Sequence, residues 1–115
     1  IVLLDGMIIG KPVDEADAIR MLKLLAGKTH RVITGVCIAT KKKQVIFSDT
    51  AFVTFGNLSE EEIIYYVLNY KPFDKAGAYG VQEWIGYVAV ERIEGSYFNV
   101  MGLPIYKVYK ELKKF

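Results

Sequence analysis

Two strand-length segments, Arg31–Thr40 and Gln44–Phe55, are separated only by Lys41-Lys42-Lys43, and this arrangement restricts the fold more than anything else in the chain. Three consecutive lysines suit a solvated turn, so the flanking segments are expected to pair as neighbouring antiparallel strands. In the second, Val45, Phe47, Ala51, Val53 and Phe55 alternate with Gln44, Ser48, Thr50 and Thr54, the period of a half-exposed strand. Asp49 interrupts the apolar side and is read as the mark of a bulge. The first segment is apolar on both faces, with Val32, Val36 and Ile38 against Ile33, Cys37 and Ala39. That pattern places it centrally in a sheet, with Cys37 buried.

The remaining elements attach to this hairpin. Asp5-Gly6 between Ile1–Leu4 and Met7–Ile9 is a strong hairpin signal. Asp14 has the position of an N-cap, with Glu15 and Asp17 in the first turn. Ala18, Met21, Leu22 and Leu25 then repeat at helical spacing up to Gly27. Ser59 and Glu62 have the spacing of a capping box, and Leu58 and Ile63 that of a hydrophobic staple. The helix they open runs to about Asn69 and buries Ile63, Ile64, Val67 and Leu68. Trp84–Ile93 reads as another strand, broken by Glu94-Gly95-Ser96. Gly102-Leu103-Pro104 introduces a last helix with Ile105, Val108, Tyr109 and Leu112 as its stripe. The expected class is mixed α/β, a partly antiparallel sheet flanked by helices, in one domain.

Composition excludes several functions. A net charge of +2 over 115 residues argues against a nucleic-acid surface or an anionic membrane partner. No apolar run approaches the roughly 20 residues of a membrane span. One cysteine, Cys37, rules out an internal disulfide and fits a reducing compartment. His30 is the sole histidine, so histidine metal clusters and Ser-His-Asp triads are unsupported. Placed at a helix-to-strand junction beside Arg31, it is expected to face solvent. The eight Tyr, six Phe and one Trp are expected mostly in the core.

Two loops carry residues suited to ligand chemistry. Lys71–Gln82 places Asp74, Lys75 and Gln82 among small residues and two glycines, between a helix and an apolar segment. The spacing fits a structural turn as well as a site. Lys11, between Gly10 and Pro12, is displayed from a constrained backbone and suits a phosphate, although a solvated loop lysine has the same pattern. From the residues alone, the chain is an α/β domain with two candidate loops for an anionic ligand.

Four segments together resemble a known family: Gly10-Lys11-Pro12, Thr34-Gly35-Val36, Asp74-Lys75-Ala76-Gly77-Ala78-Tyr79-Gly80-Val81-Gln82, and Gly95-Ser96-Tyr97-Phe98-Asn99-Val100-Met101-Gly102-Leu103-Pro104. In this order they look like the C-terminal portion of a Maf-like nucleotide pyrophosphatase, a likeness spanning essentially the whole chain. It implies a fold similar to inosine triphosphate pyrophosphatases, with a sheet flanking a cleft. It implies cleavage of a nucleoside triphosphate between the α- and β-phosphates, with a divalent cation, magnesium or in its place manganese. It further implies a homodimer, and the single cysteine makes a cytoplasmic setting the expected one. Lys11 matches the family's phosphate-contacting lysine and Gln82 the residue associated with base selection. The Tyr79-Gly80-Val81-Gln82 form resembles the branch acting on dTTP and UTP. Asp74 and Lys75 line the cleft or brace its loop, with bracing ranked first.

The departures also matter. The family's N-terminal Ser-Pro-Arg-Arg-type phosphate loop is not in this sequence. Nor is its Ala-Asp-Thr motif, which carries the catalytic aspartate and is expected immediately before Ile1. Glu83 stands where the family often has glycine. The alternative reading is a catalytically silent nucleotide-binding or regulatory domain, with a role in septum control implied by the resemblance alone.

Overall fold

The structure, a computed structural model, describes residues 1–115. Its frame is the long hairpin of β3 (Thr29–Ala39) and β4 (Gln44–Phe55), paired in unbroken antiparallel register from Thr29↔Thr54 to Ala39↔Gln44. The short hairpin of β1 (Val2–Leu4) and β2 (Met7–Ile9) lies on the β3 side. Asp5 and Gly6 both take positive φ, 49° and 78°, as a two-residue turn matched to strand twist requires. On the other side β4 pairs with β5 (Val90–Glu94), completing a five-stranded sheet in the order β2-β1-β3-β4-β5. The sheet is antiparallel throughout, and the α/β class expected from the sequence holds.

Helix α1 (Glu15–Leu25) starts at Asp14, whose side chain accepts from the Asp17 N–H at 2.8 Å. Helix α2 (Glu60–Tyr70) starts at Ser59 with both bonds of the capping box formed, at 2.9 and 3.1 Å. The two helices pack against each other. Ala18, Met21, Leu22, Leu25, Ile63, Tyr66 and Val67 join Val2, Leu4, Val32, Val53 and Phe55 in one core. Tyr66 takes the buried place expected for Leu68, which is exposed. Ile63, Tyr66 and Val67 are three and four residues apart, so the same helical period selects Tyr66.

Beyond Tyr70 the structure departs from expectation in several places. Trp84–Ile93 is not one strand. It divides into α3 (Trp84–Ala89), whose Gly86 packs directly on the Val81 carbonyl, and β5. A Cβ there would overlap the Val81 carbonyl, and only glycine permits this approach. A short helix, α4 (Tyr97–Met101), forms in the stretch between Ser96 and Gly102, to which the sequence assigned no element. The stripe of α5 (Ile105–Leu112) has no partner in the chain: Ile105, Tyr109 and Leu112 are all exposed. Asp49 makes no bulge. It pairs in register with Thr34, and the register shift lies at Thr54/Phe55 against β5. Cys37 is exposed, on the face of the distal hairpin opposite the half-buried Val36 and Ile38. Most aromatic residues are likewise outside the core, and only Phe55, Tyr66 and Tyr79 are fully inside it. No helix is long and apolar enough to cross a membrane.

Gly86→Ala should cost about 1–3 kcal/mol of stability, because the added methyl forces α3 away from Val81. Denaturant unfolding checks this, and an unchanged midpoint would show that the packing at Gly86 is looser than described.

Candidate functional site

The site lies beside β3, next to Ile1, which exchanges hydrogen bonds with Ile33 at 2.6 and 2.8 Å. Thr34 and Gly35 form part of the wall of a cavity of about 560 Å³. Ile1, Val2, Val32 and Ile33 complete that wall. Asp74, Lys75, Tyr79, Gly80 and Gln82 face them from the loop after α2, and Asn99–Gly102 from α4. This volume lies within the roughly 300–1,000 Å³ of small-molecule sites.

The loop is fastened at several points. The Gly77 N–H donates to the Gly10 carbonyl at 3.0 Å, which ties it to the Lys11 loop. Gly77 and Ala78 both have positive φ, 73° and 63°. For alanine this conformation costs about 1–2 kcal/mol and must be held by its surroundings. The surroundings are the core, in which both residues are buried. Next in the chain, the Tyr79 ring packs edge-on against Phe55 and His30, and its hydroxyl lies 2.6 Å from His30 Nε2. His30 is therefore buried, not solvent-facing. β3 begins at Thr29, two residues earlier than expected, and extending the Val32 phase backwards turns His30 inward. Gly80 is bonded to the Tyr66 hydroxyl at 3.1 Å.

Three of the four sequence-selected residues meet at this cavity. Gln82 is exposed and lines it, with its amide presented as donor and acceptor. Lys75 Nζ donates to Asp74 Oδ1 at 3.1 Å, which holds the Asp74 carboxyl below its usual range. The Lys75 stem packs over Gly80, where a Cβ would stand 2.9 Å from Lys75 Cε. Lys11 is not among the wall residues. It occupies the adjoining loop, where its charge also lowers the Asp74 pKa.

Asn99 and Tyr79 are wall residues that the sequence did not single out. Asn99 is fully buried, with Nδ2 donating to the Val32 and Asp49 carbonyls at 3.1 and 3.3 Å, and Oδ1 without a partner in the chain. No local pattern marks it, because both partners come from distant strands. No group of three or more His, Cys, Asp or Glu is placed to hold a metal ion. Asp74 is the sole carboxylate of the cavity wall and is already paired, so this chain's residues do not by themselves fit the expected cation.

The fold and cavity define an α/β domain with a loop-lined site beside β3. Across residues 1–115 the sequence matches the profile of the family described as Maf-like protein, and the chain belongs to that family. A dTTP/UTP pyrophosphatase of Porphyromonas gingivalis is 56% identical over 115 residues, covering 100% of this chain and 58% of the relative. One from Phocaeicola vulgatus is 60% identical over 114 residues, 99% of this chain and 59% of its own. One from Christiangramia forsetii is 52% identical over 114 residues, 99% and 58% respectively. The chain thus spans less than two thirds of the length of these relatives.

Burial holds the His30 pKa down at about 4, from an ordinary 6.5. The unfolded chain therefore takes up a proton near 6.5 that the folded chain refuses until about 4. Stability from this residue is intact above the first value and falls as pH drops towards the second, by on the order of 3 kcal/mol. Denaturant unfolding between those limits should show this slope and a His30→Gln variant should lack it. Equal slopes would place His30 in contact with water.

Proposed function

We propose that the full-length protein carrying this chain hydrolyses nucleoside triphosphates, dTTP and UTP or modified forms of them, to the monophosphate and pyrophosphate. Residues 1–115 would be the C-terminal portion of a single Maf-like domain. The observation that carries this reading is that Gln82, Asp74 and Lys75 line one cavity, on a loop bonded to the one that bears Lys11. The similar proteins named dTTP/UTP pyrophosphatase support it along the same residues.

In this reaction water attacks the α-phosphorus, the bond to the bridging oxygen breaks, and pyrophosphate leaves. Gln82 would pair with the edge of a pyrimidine, its amide matching one donor and one acceptor. Lys11 would offset charge on the phosphates. Lys75 would brace the loop with its stem and turn its ammonium to the cavity, neutralised in part by Asp74. The activating carboxylate is not among the wall residues. The resemblance places it immediately before Ile1, and Ile1 itself lines the cavity in register with Ile33. A residue in that position would continue along β3. The divalent cation would take its ligands from outside this chain, and no role in it is assigned to these residues. A cytoplasmic setting accords with the unpaired, exposed Cys37. Self-association is proposed on family likeness alone.

A pyrophosphate-release screen of the full-length protein against standard and modified nucleotides tests this reading. It should show turnover of dTTP and UTP, and failure on every nucleotide would overturn it. Lys11→Ala should lower turnover by roughly 10², and a near-normal rate would remove Lys11 from the site. Gln82→Ala should change the preference among bases while leaving stability intact. Residues 1–115 alone should release no pyrophosphate.

A further inference from the structure

Tyr66 is fully buried in α2, yet its hydroxyl reaches outward to the loop. It accepts from the Gly80 N–H at 3.1 Å and donates to Glu83 Oε1 at 2.6 Å. Gly80 and Glu83 are also bonded to each other, the Glu83 N–H donating to the Gly80 carbonyl at 3.0 Å. These contacts close a tight turn in which Val81 and Gln82 are the two central residues. One buried oxygen therefore holds both ends of the turn that presents Gln82.

The turn is packed as well as bonded. A Cβ at Gly80 would stand 2.8 Å from Glu83 Oε1 and 2.9 Å from Lys75 Cε, so carboxylate and lysine stem close over it. Val81 is buried while Gln82 is exposed to the cavity, so displacement of either end would move the Gln82 amide. A hydroxyl that donates to a carboxylate and accepts from an amide has a fixed orientation, and its bond to the charged partner is the stronger kind. Burial, together with the adjoining carboxylate, drives the Tyr66 pKa above its ordinary value, so the donor stays protonated.

We propose that Tyr66 and Glu83 are positioning residues for base recognition: the buried hydroxyl clamps the Gly80–Glu83 turn and sets where the Gln82 amide meets a pyrimidine edge. This rests on the nucleotide reading of the cavity given above. Neither residue is among those lining the cavity, so the effect belongs to binding and selectivity, not to the chemical step.

The test uses the full-length protein with Tyr66→Phe, Glu83→Gln and Glu83→Ala. Tyr66→Phe keeps the ring and loses both bonds. It should raise KM for dTTP roughly five- to tenfold, narrow the preference over purine nucleotides, and leave kcat within about threefold. Glu83→Gln retains an oxygen that accepts from Tyr66 and should stay near the wild type, whereas Glu83→Ala should resemble Tyr66→Phe. Hydrogen exchange across residues 80–83 should quicken roughly tenfold in Tyr66→Phe. Unchanged KM and base preference in Tyr66→Phe, with only a lower unfolding midpoint, would overturn the proposal. Equal damage from Glu83→Gln and Glu83→Ala would also overturn it. If the wild type turns over no nucleotide, the nucleotide reading fails. The exchange measurement still decides the clamp, which unaltered protection in Tyr66→Phe would refute.

Discussion

The site depends on the immobility of the loop after α2. Successive loop residues are held by different parts of the molecule: Gly77 by Gly10, Tyr79 by His30 and Phe55, and Gly80 by Tyr66. Each bond is modest, about 1 kcal/mol net. Together they hold a backbone that includes an alanine in left-handed geometry, a conformation that a free loop would relax. Polar groups on such a loop are held in place, so the proposed contacts of Gln82 and Lys75 would form without first ordering a flexible segment.

The cavity is enclosed from three sides: Thr34 and Gly35 of β3, the loop after α2, and α4. Asn99 joins two of them. Its Nδ2 is bonded to carbonyls of β3 and β4, which fixes α4 against the sheet and leaves Oδ1 unpartnered beside the cavity wall. The β3–β4 hairpin extends beyond the core, with α5 tied alongside it through Lys107 to Asp49, and the molecule measures 52 × 27 × 26 Å.

What was legible in the sequence follows from the range of the interactions. Caps and tight turns are local chemistry, so Asp14, Ser59 with Glu62, and Asp5-Gly6 were readable from neighbouring residues. The pairing of β3 with β4 was readable because only Lys41–Lys43 separates the two strand-length segments. Trp84–Ile93 was not, since a short apolar run fits helix and strand alike and the contact of Gly86 with Val81 decides between them. His30 was misplaced because the strand begins two residues earlier than expected: read as a junction residue it faced solvent, whereas as a strand residue it shares the inward face of Val32. In the site, Asp74, Lys75 and Gln82 came together as their clustering implied. The Tyr66 clamp was hidden because its partners lie 14 and 17 residues away.

The most direct measurement is a crystal structure of the full-length protein with a dUTP analogue whose α,β-bridging oxygen is replaced by an imido group. The account requires the uracil edge within hydrogen-bond distance of the Gln82 amide and the phosphates extended towards Lys11. A nucleotide bound with its base away from the Gly80–Glu83 turn, or outside the cavity beside β3, would contradict it.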